Sequence, residues 1–346
     1  MKKSVRWLPA VIAPAIVAAA VIAVPAVADA AAAPPAKSAE QVLALIAKSA
    51  DAHYSGTVRQ SSSLGLPQLP ATGAGSGSAD AAVLDLLTAS HTVRVFADGP
   101  GKQRLQVLDS LAERDVVRNG AEVWGYDSKQ NEATHLTLPS KSAKADLGST
   151  TPGDLATKLV EAIDPSTRIA VDKSASVAGR PAYRLTLTPK SAGTLVADVT
   201  LSVDASTGLP LKVVVDAKGQ KDPAFSVGFT SIDFSAPAAR TFEFTPSKGA
   251  KVTTESTPEP SAHSSTEAMP RPTVTGTGWD SIVELPSAGS VPAPDPSQTA
   301  LLDELTTAVD GGRALQTSLV SVLLTSDGRV LAGAVPVSAL VTAAAQ

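Results

Sequence analysis

No cysteine occurs among the 346 residues. Disulfides and thiol chemistry are thereby excluded, and so is the acylated cysteine that would make the chain itself a lipoprotein. Stability must come from burial, which a chain of this length can supply. Histidine is scarce: His53, His91, His135 and His263 show no metal-ligand spacing. The His-Glu-x-x-His and Gly-x-Ser-x-Gly patterns are both missing, and Gly75-Ser76-Gly77-Ser78 reads only as a flexible loop. The adjacent carboxylates Asp303 and Glu304 read as a solvated helix face. No catalytic residue, cofactor or metal site is therefore expected. Aromatic residues make up 3% of the chain, and no basic patch is interleaved with them. With a formal net charge of -4 and both signs interspersed, nucleic acid is not an expected partner.

What is present begins with an export signal. Lys2, Lys3 and Arg6 precede an apolar run from Trp7 to Val27, and Ala26-Val27-Ala28 is an A-x-A cleavage site. Residues 1–28 read as a signal peptide, with an uncleaved anchor as the alternative. Residues 29–37 are a spacer. Ser38 then caps a helix to Asp51, with Gln41 completing a capping box and Val42, Leu45, Ile46 and Ser49 on one face. Gly56 to Leu64 reads as a strand, 65–78 as a Gly/Pro/Ser loop and 80–88 as a short helix.

From Val93 to Leu138 short alternating runs are separated by turn signals at Asp98-Gly99-Pro100-Gly101 and Asn119-Gly120. Leu105 and Val107 alternate with Arg104 and Gln106, as a sheet with one apolar face requires. Thr151-Pro152-Gly153-Asp154 opens another helix, ended by Asp164-Pro165. Alternation then resumes in Tyr183/Leu185/Leu187, Val199/Leu201/Val203, Leu211/Val213/Val215 and Phe225/Val227/Phe229.

Residues 253–272, rich in Thr, Pro, Glu and Ser without period, read as a disordered linker or loop. A strand (279–285), a helix carrying Leu301, Leu302, Leu305 and Val309, and a hairpin around Asp327-Gly328 follow. A hairpin this apolar needs a sheet to lie on, so residues 273–346 are expected to complete the main domain of 38–252. The fold class is mainly β (α+β): a large curved antiparallel sheet or half-open barrel of about a dozen strands, covering a few helices.

The order Gly99-Pro100, Arg104, Asn119-Gly120, Trp124-Gly125-Tyr126-Asp127 resembles the bacterial lipoprotein-carrier superfamily, which includes the LolA carriers and the MucB/RseB sensors. The long Gly/Ser loop and the extended C-terminal section resemble its actinobacterial branch. The resemblance implies that Arg104 holds a helical lid and that Leu105, Val107, Trp124 and Tyr126 line a ligand cavity. On the residues alone, Arg104 also fits the wet side of a strand, and the two aromatics also fit an ordinary core. The function implied is a non-enzymatic extracytoplasmic binding protein, monomeric, that holds acyl chains of a lipid or lipoprotein. The alternative is a MucB/RseB-like sensor that regulates an anti-sigma factor in the membrane.

Overall fold

The computed structural model describes residues 34–66, 90–108, 113–138, 166–256, 272–286 and 305–346. The export signal, the expected helices at 80–88 and 151–163, and most of the Gly/Ser loop and of the Pro-rich linker lie outside these residues. So does the expected C-terminal helix up to residue 304.

The first element is α1 (Ala39–Lys48), followed by a 3-10 turn, Ser49–Asp51. The capping box forms as expected: the Gln41 backbone N–H donates to the Ser38 hydroxyl, and the Ser38 N–H donates to the Gln41 side chain. Twelve strands then build one open sheet. They are β1 (His53–Ser62), β2 (His91–Asp98), β3 (Lys102–Leu108), β4 (Glu113–Asn119), β5 (Glu122–Asp127), β6 (Glu132–Thr137), β7 (Thr167–Val177), β8 (Arg180–Pro189), β9 (Val196–Asp204), β10 (Pro210–Ala217), β11 (Phe225–Asp233) and β12 (Lys251–Ser256). Their order is β12-β6-β5-β4-β3-β2-β1-β11-β10-β9-β8-β7. Two antiparallel meanders, β1 to β6 and β7 to β11, meet where β1 pairs with β11. Only β12 runs parallel to its neighbour, β6.

Tight turns between alternating strands explain the meanders. Gly120, at φ 64, supplies the left-handed residue that the β4–β5 turn needs. The pattern from Tyr183 to Phe229 emerges as read: Leu185, Leu201, Val213 and Val227 lie opposite one another across four strands. This row belongs to the helix face, where α1 packs Val42 on Tyr183 and Val203, and Leu43 on Leu185. Farther along the same side, Val58, Val95, Leu209, Leu211, Val227 and Phe229 form the main core.

The opposite side is the strap face. Residues 234–250 leave β11 and reach β12 at the far edge, a traverse across six strands or about 34 Å at the usual strand spacing. A 3-10 turn, Ala239–Phe242, lies in this strap, and its Phe242 is 1% exposed.

Three expectations are corrected. Thr253 to Ser256 belong to β12 rather than to a linker, because their backbone pairs with β6. The C-terminal strands do not extend the main sheet. β13 (Thr273–Thr275), β14 (Ile282–Leu285), β15 (Thr307–Val309), β16 (Gly312–Gln316), β17 (Ser321–Thr325) and β18 (Val330–Gly333) form a second sheet, ordered β13-β14-β18-β17-β16-β15. A final helix, α2 (Val337–Ala344), covers it and builds a separate core with Ile282, Ala314, Leu323, Leu331 and Leu340. Finally, Val309 lies in β15, paired to Gly312, and not on a helix. Among the described residues no helix is long and apolar enough to cross a membrane.

Candidate functional site: two faces of one sheet

The five residues singled out from the sequence fall on both faces of the sheet. In antiparallel pairing, opposed residues point to the same side. The register runs unshifted from β2 to β6. One rung is Val95–Leu105–Val116–Gly125, and the next holds Val93 and Val107. Both lie on the helix face, since Val58, opposite Val93, belongs to the main core. The intervening rung, Gln106–Asp115–Tyr126–Ala133, points the other way, as does the flanking rung Phe96–Arg104–Val117–Trp124–His135.

Leu105 and Val107 therefore do not share a wall with Trp124 and Tyr126, and Arg104 does not open toward the apolar helix face. The physical reason is the two-residue period of a strand: only a bulge could bring residues 104 and 105 to one side, and the register has none there.

On the helix face, Leu105 and Val107 join Val93, Val116, Val123 and Leu136 in an apolar wall. All six are half-buried, while Val95 and Ala97 beside them are buried. Half-exposed valine and leucine form an apolar patch, bordered on the same face by Arg114 opposite Val107 and Arg118 opposite Val123, that could accept an apolar chain with a polar head.

On the strap face, Arg104 joins two strands to the strap. Its guanidinium makes a two-pronged contact with Asp115, Nε to Oδ1 at 3.1 Å and Nη2 to Oδ2 at 2.5 Å. Nη1 donates to the Thr241 carbonyl at 3.1 Å, so one planar fork joins β3, β4 and the strap. Burial pushes the Asp115 carboxyl above the usual range, against the pull of Arg104.

Trp124 stacks on His135, with centroids 4.2 Å apart and planes at 11°. The strap's Phe244 packs on Trp124 at 5.4 Å and on Tyr126 at 5.7 Å. The Tyr126 hydroxyl bonds Ser247 at 2.8 Å and Asn131 at 3.1 Å. The aromatics thus form a seat for the strap. Sequence reading passed over Asp115, Thr241, Phe242 and Phe244. Asp115 was within reach, since it is the diagonal cross-strand neighbour of Arg104 once the β3–β4 hairpin is drawn. The strap contacts span more than a hundred residues of sequence and leave no local signal.

Among the described residues no three metal-ligating side chains come together. No curated protein matches the chain. Among solved structures, the complex of Pseudomonas aeruginosa MucA and MucB is 19% identical, with 87% of this chain and 95% of that chain covered at a TM-score of 0.45. An uncharacterized conserved protein from Thermus thermophilus is 15% identical, with 63% and 100% covered and a TM-score of 0.37. A LolA superfamily protein from Nitrosomonas europaea is 12% identical, with 60% and 99% covered and a TM-score of 0.25. Residues 85–247, a segment that holds the Arg104 clasp and most of the strap, match the sequence model of the MucB/RseB N-terminal domain. That match makes a segment of somewhat less than half of the chain similar to the MucB/RseB N-terminal domain.

Proposed function

We propose that this chain is a non-enzymatic extracytoplasmic binding protein that holds acyl chains of a lipid or lipoprotein against the helix face. The observation that carries this reading is the half-exposed wall of Val93, Leu105, Val107, Val116, Val123 and Leu136 beside a closed core. Burying ~10 methylenes at ~0.8 kcal/mol each yields roughly 8 kcal/mol before the entropic cost of binding, enough for reversible capture without any reactive group. Trp124, Tyr126 and Arg104 are no part of this site, because they point to the other side. The export signal read in residues 1–28 supports a place of action outside the cytoplasm.

The test is displacement of a fluorescent fatty-acid probe from delipidated protein. Val107→Asp and Leu105→Glu place a charge in the wall and should weaken probe binding at least tenfold. Tyr126→Phe, on the strap face, should leave it unchanged. Failure of the wild-type protein to take up the probe would overturn the reading.

The family match favours a second reading, a regulator that engages a membrane-bound anti-sigma factor and is released by lipid. It predicts a one-to-one complex with a membrane protein of the host that the fatty-acid probe dissociates.

A further inference from the structure

One rung of the main sheet gathers basic residues that lie far apart in the sequence. Asp172, Arg184, Ser202, Lys212, Gly228, Arg59 and Thr92 stand opposite one another across seven strands, from β7 to β2. They share the strap face: Thr92 and Arg94 are two residues apart on β2, and Arg94 is opposed to Gln106 in the rung of Asp115. Arg184, Lys212 and Arg59 sit two strands apart, about 10 Å at the usual spacing. Arg94 is the diagonal neighbour of Arg59, about 7–8 Å away.

Only Ser202 and Gly228 separate the three cations of the rung, so nothing large shields them. Arg59, Arg94 and Arg184 are exposed and Lys212 is half-buried, which places the row beyond the part of the face that the strap covers. Arg59 and Arg94 make no ion pair among the described residues. Arg184 reaches Asp172, at the end of the rung, only at 3.9 Å, with both side chains about half exposed. Lys212 is held below the ordinary lysine range by burial and then by the charge of Arg184. The next carboxylates on this face, Asp198 and Asp216, are opposed to each other four residues farther along, about 13 Å away along the backbone, and Asp216 attracts Lys212. A chain of net charge -4 thus gathers four cations in one band, where Asp172 and Asp216 act on Arg184 and Lys212 and, among the described residues, no acid pairs with Arg59 or Arg94.

We infer that this band is a docking surface for the anionic headgroups of a phospholipid bilayer. A protein partner would need apolar or aromatic anchors to desolvate, and the band offers serine, glycine and threonine between its cations. Distributed phosphates need only the positive charge. This surface is on the opposite side of the sheet from the proposed acyl wall and does not depend on it, so either can fail alone.

The experiment is flotation of the exported protein with vesicles of phosphatidylcholine alone and of phosphatidylcholine with phosphatidylglycerol. Apolar insertion by any other segment is common to both and cancels in the difference. Wild-type partitioning should rise with phosphatidylglycerol and fall with added salt. The variant R59Q/R184Q/K212Q should lose about fivefold per cation, or about a hundredfold in all. The variant K129Q/K221Q/K248Q, with the same change in net charge on exposed lysines elsewhere, should partition like the wild type. Should the first variant melt early, R59Q alone carries the test, with a fivefold loss. Equal losses in both triple variants, no dependence on phosphatidylglycerol, or preferential binding of polyglutamate by the same four residues would overturn the assignment to lipid.

Discussion

Two buried Arg–Asp pairs have opposite proton affinities, and the difference lies in what else each carboxylate touches. Asp115 is buried and among the described residues hydrogen-bonds Arg104 alone, so burial dominates, the charge of Glu113 adds to it, and its carboxyl titrates above the ordinary range. Asp204 is fully buried, which by itself would raise its pKa. Arg180 and the Thr207 backbone N–H and hydroxyl reverse the direction and hold it low. Its stabilisation is therefore present above the unfolded value of about 4 and is lost as pH falls through the lowered folded value. The difference in urea midpoint between wild type and Asp204→Asn should shrink steadily with acidification below about pH 4. For Asp115 the sign is opposite: its contribution is full below about pH 4 and lost as pH rises through the raised value. Arg104→Leu, which strands the Asp115 carboxylate, should cost about 3 kcal/mol at neutral pH, measured by urea denaturation. A simple wet-side arginine would cost far less, and a loss under about 0.5 kcal/mol would disqualify the clasp.

Among the elements, α1 was legible because its signals are local: a capping serine, its partner Gln41 and apolar residues at helical spacing. Its seat was not. The β9–β10 turn approaches so closely that a Cβ on Gly208 would lie 2.1 Å from the Leu45 carbonyl, at a φ of 77. Gly208→Ala should displace α1 and lower the melting temperature by several degrees, with loss of amide protection along 39–48 by hydrogen exchange. The final helix α2 lies in the segment read only as a hairpin, although Val337, Leu340, Val341 and Ala344 recur at i, i+3, i+4 and i+7 after Pro336. The strap shows no periodicity at all. It is held by Phe242 and Phe244, and Phe242→Ala should cost about 3–5 kcal/mol in chemical denaturation. A cost below about 1 kcal/mol would mean that the strap is only laid on the sheet.

For the whole molecule, the two sheets keep separate cores and meet at the β8–β9 turn, at Thr167, and after β1, where the Ser318 N–H donates to the Leu64 carbonyl at 2.8 Å. The Leu195 N–H and the Thr194 hydroxyl both donate to the Ala334 carbonyl, at 2.7 and 2.8 Å, and Ser191 bonds Asp280. Trp279 Nε1 donates to the Thr167 hydroxyl at 2.8 Å. A Cβ on Gly193 would sit 3.2 Å from the Asp280 carboxylate, so Gly193→Val should push the junction apart. Calorimetry should then separate a lower transition for the second sheet from that of the first; a single unsplit transition would show that the junction does not depend on this contact. The sequence by itself determined most strands of the two meanders, their turns and apolar sides, and the first helix, because turn chemistry, capping and two-residue alternation act within a few residues. It also determined the family resemblance, because that rests on the local order of Gly-Pro, Arg104, Asn-Gly and Trp-x-Tyr-Asp. Only the tertiary structure decided that Arg104 clasps a strap from residue 241, that the C-terminal strands close a sheet of their own, and that Arg59, Arg184 and Lys212 fall on one rung. Each of these is a cross-strand register between distant segments, set by burial summed over a whole face and not by the neighbours of any one residue.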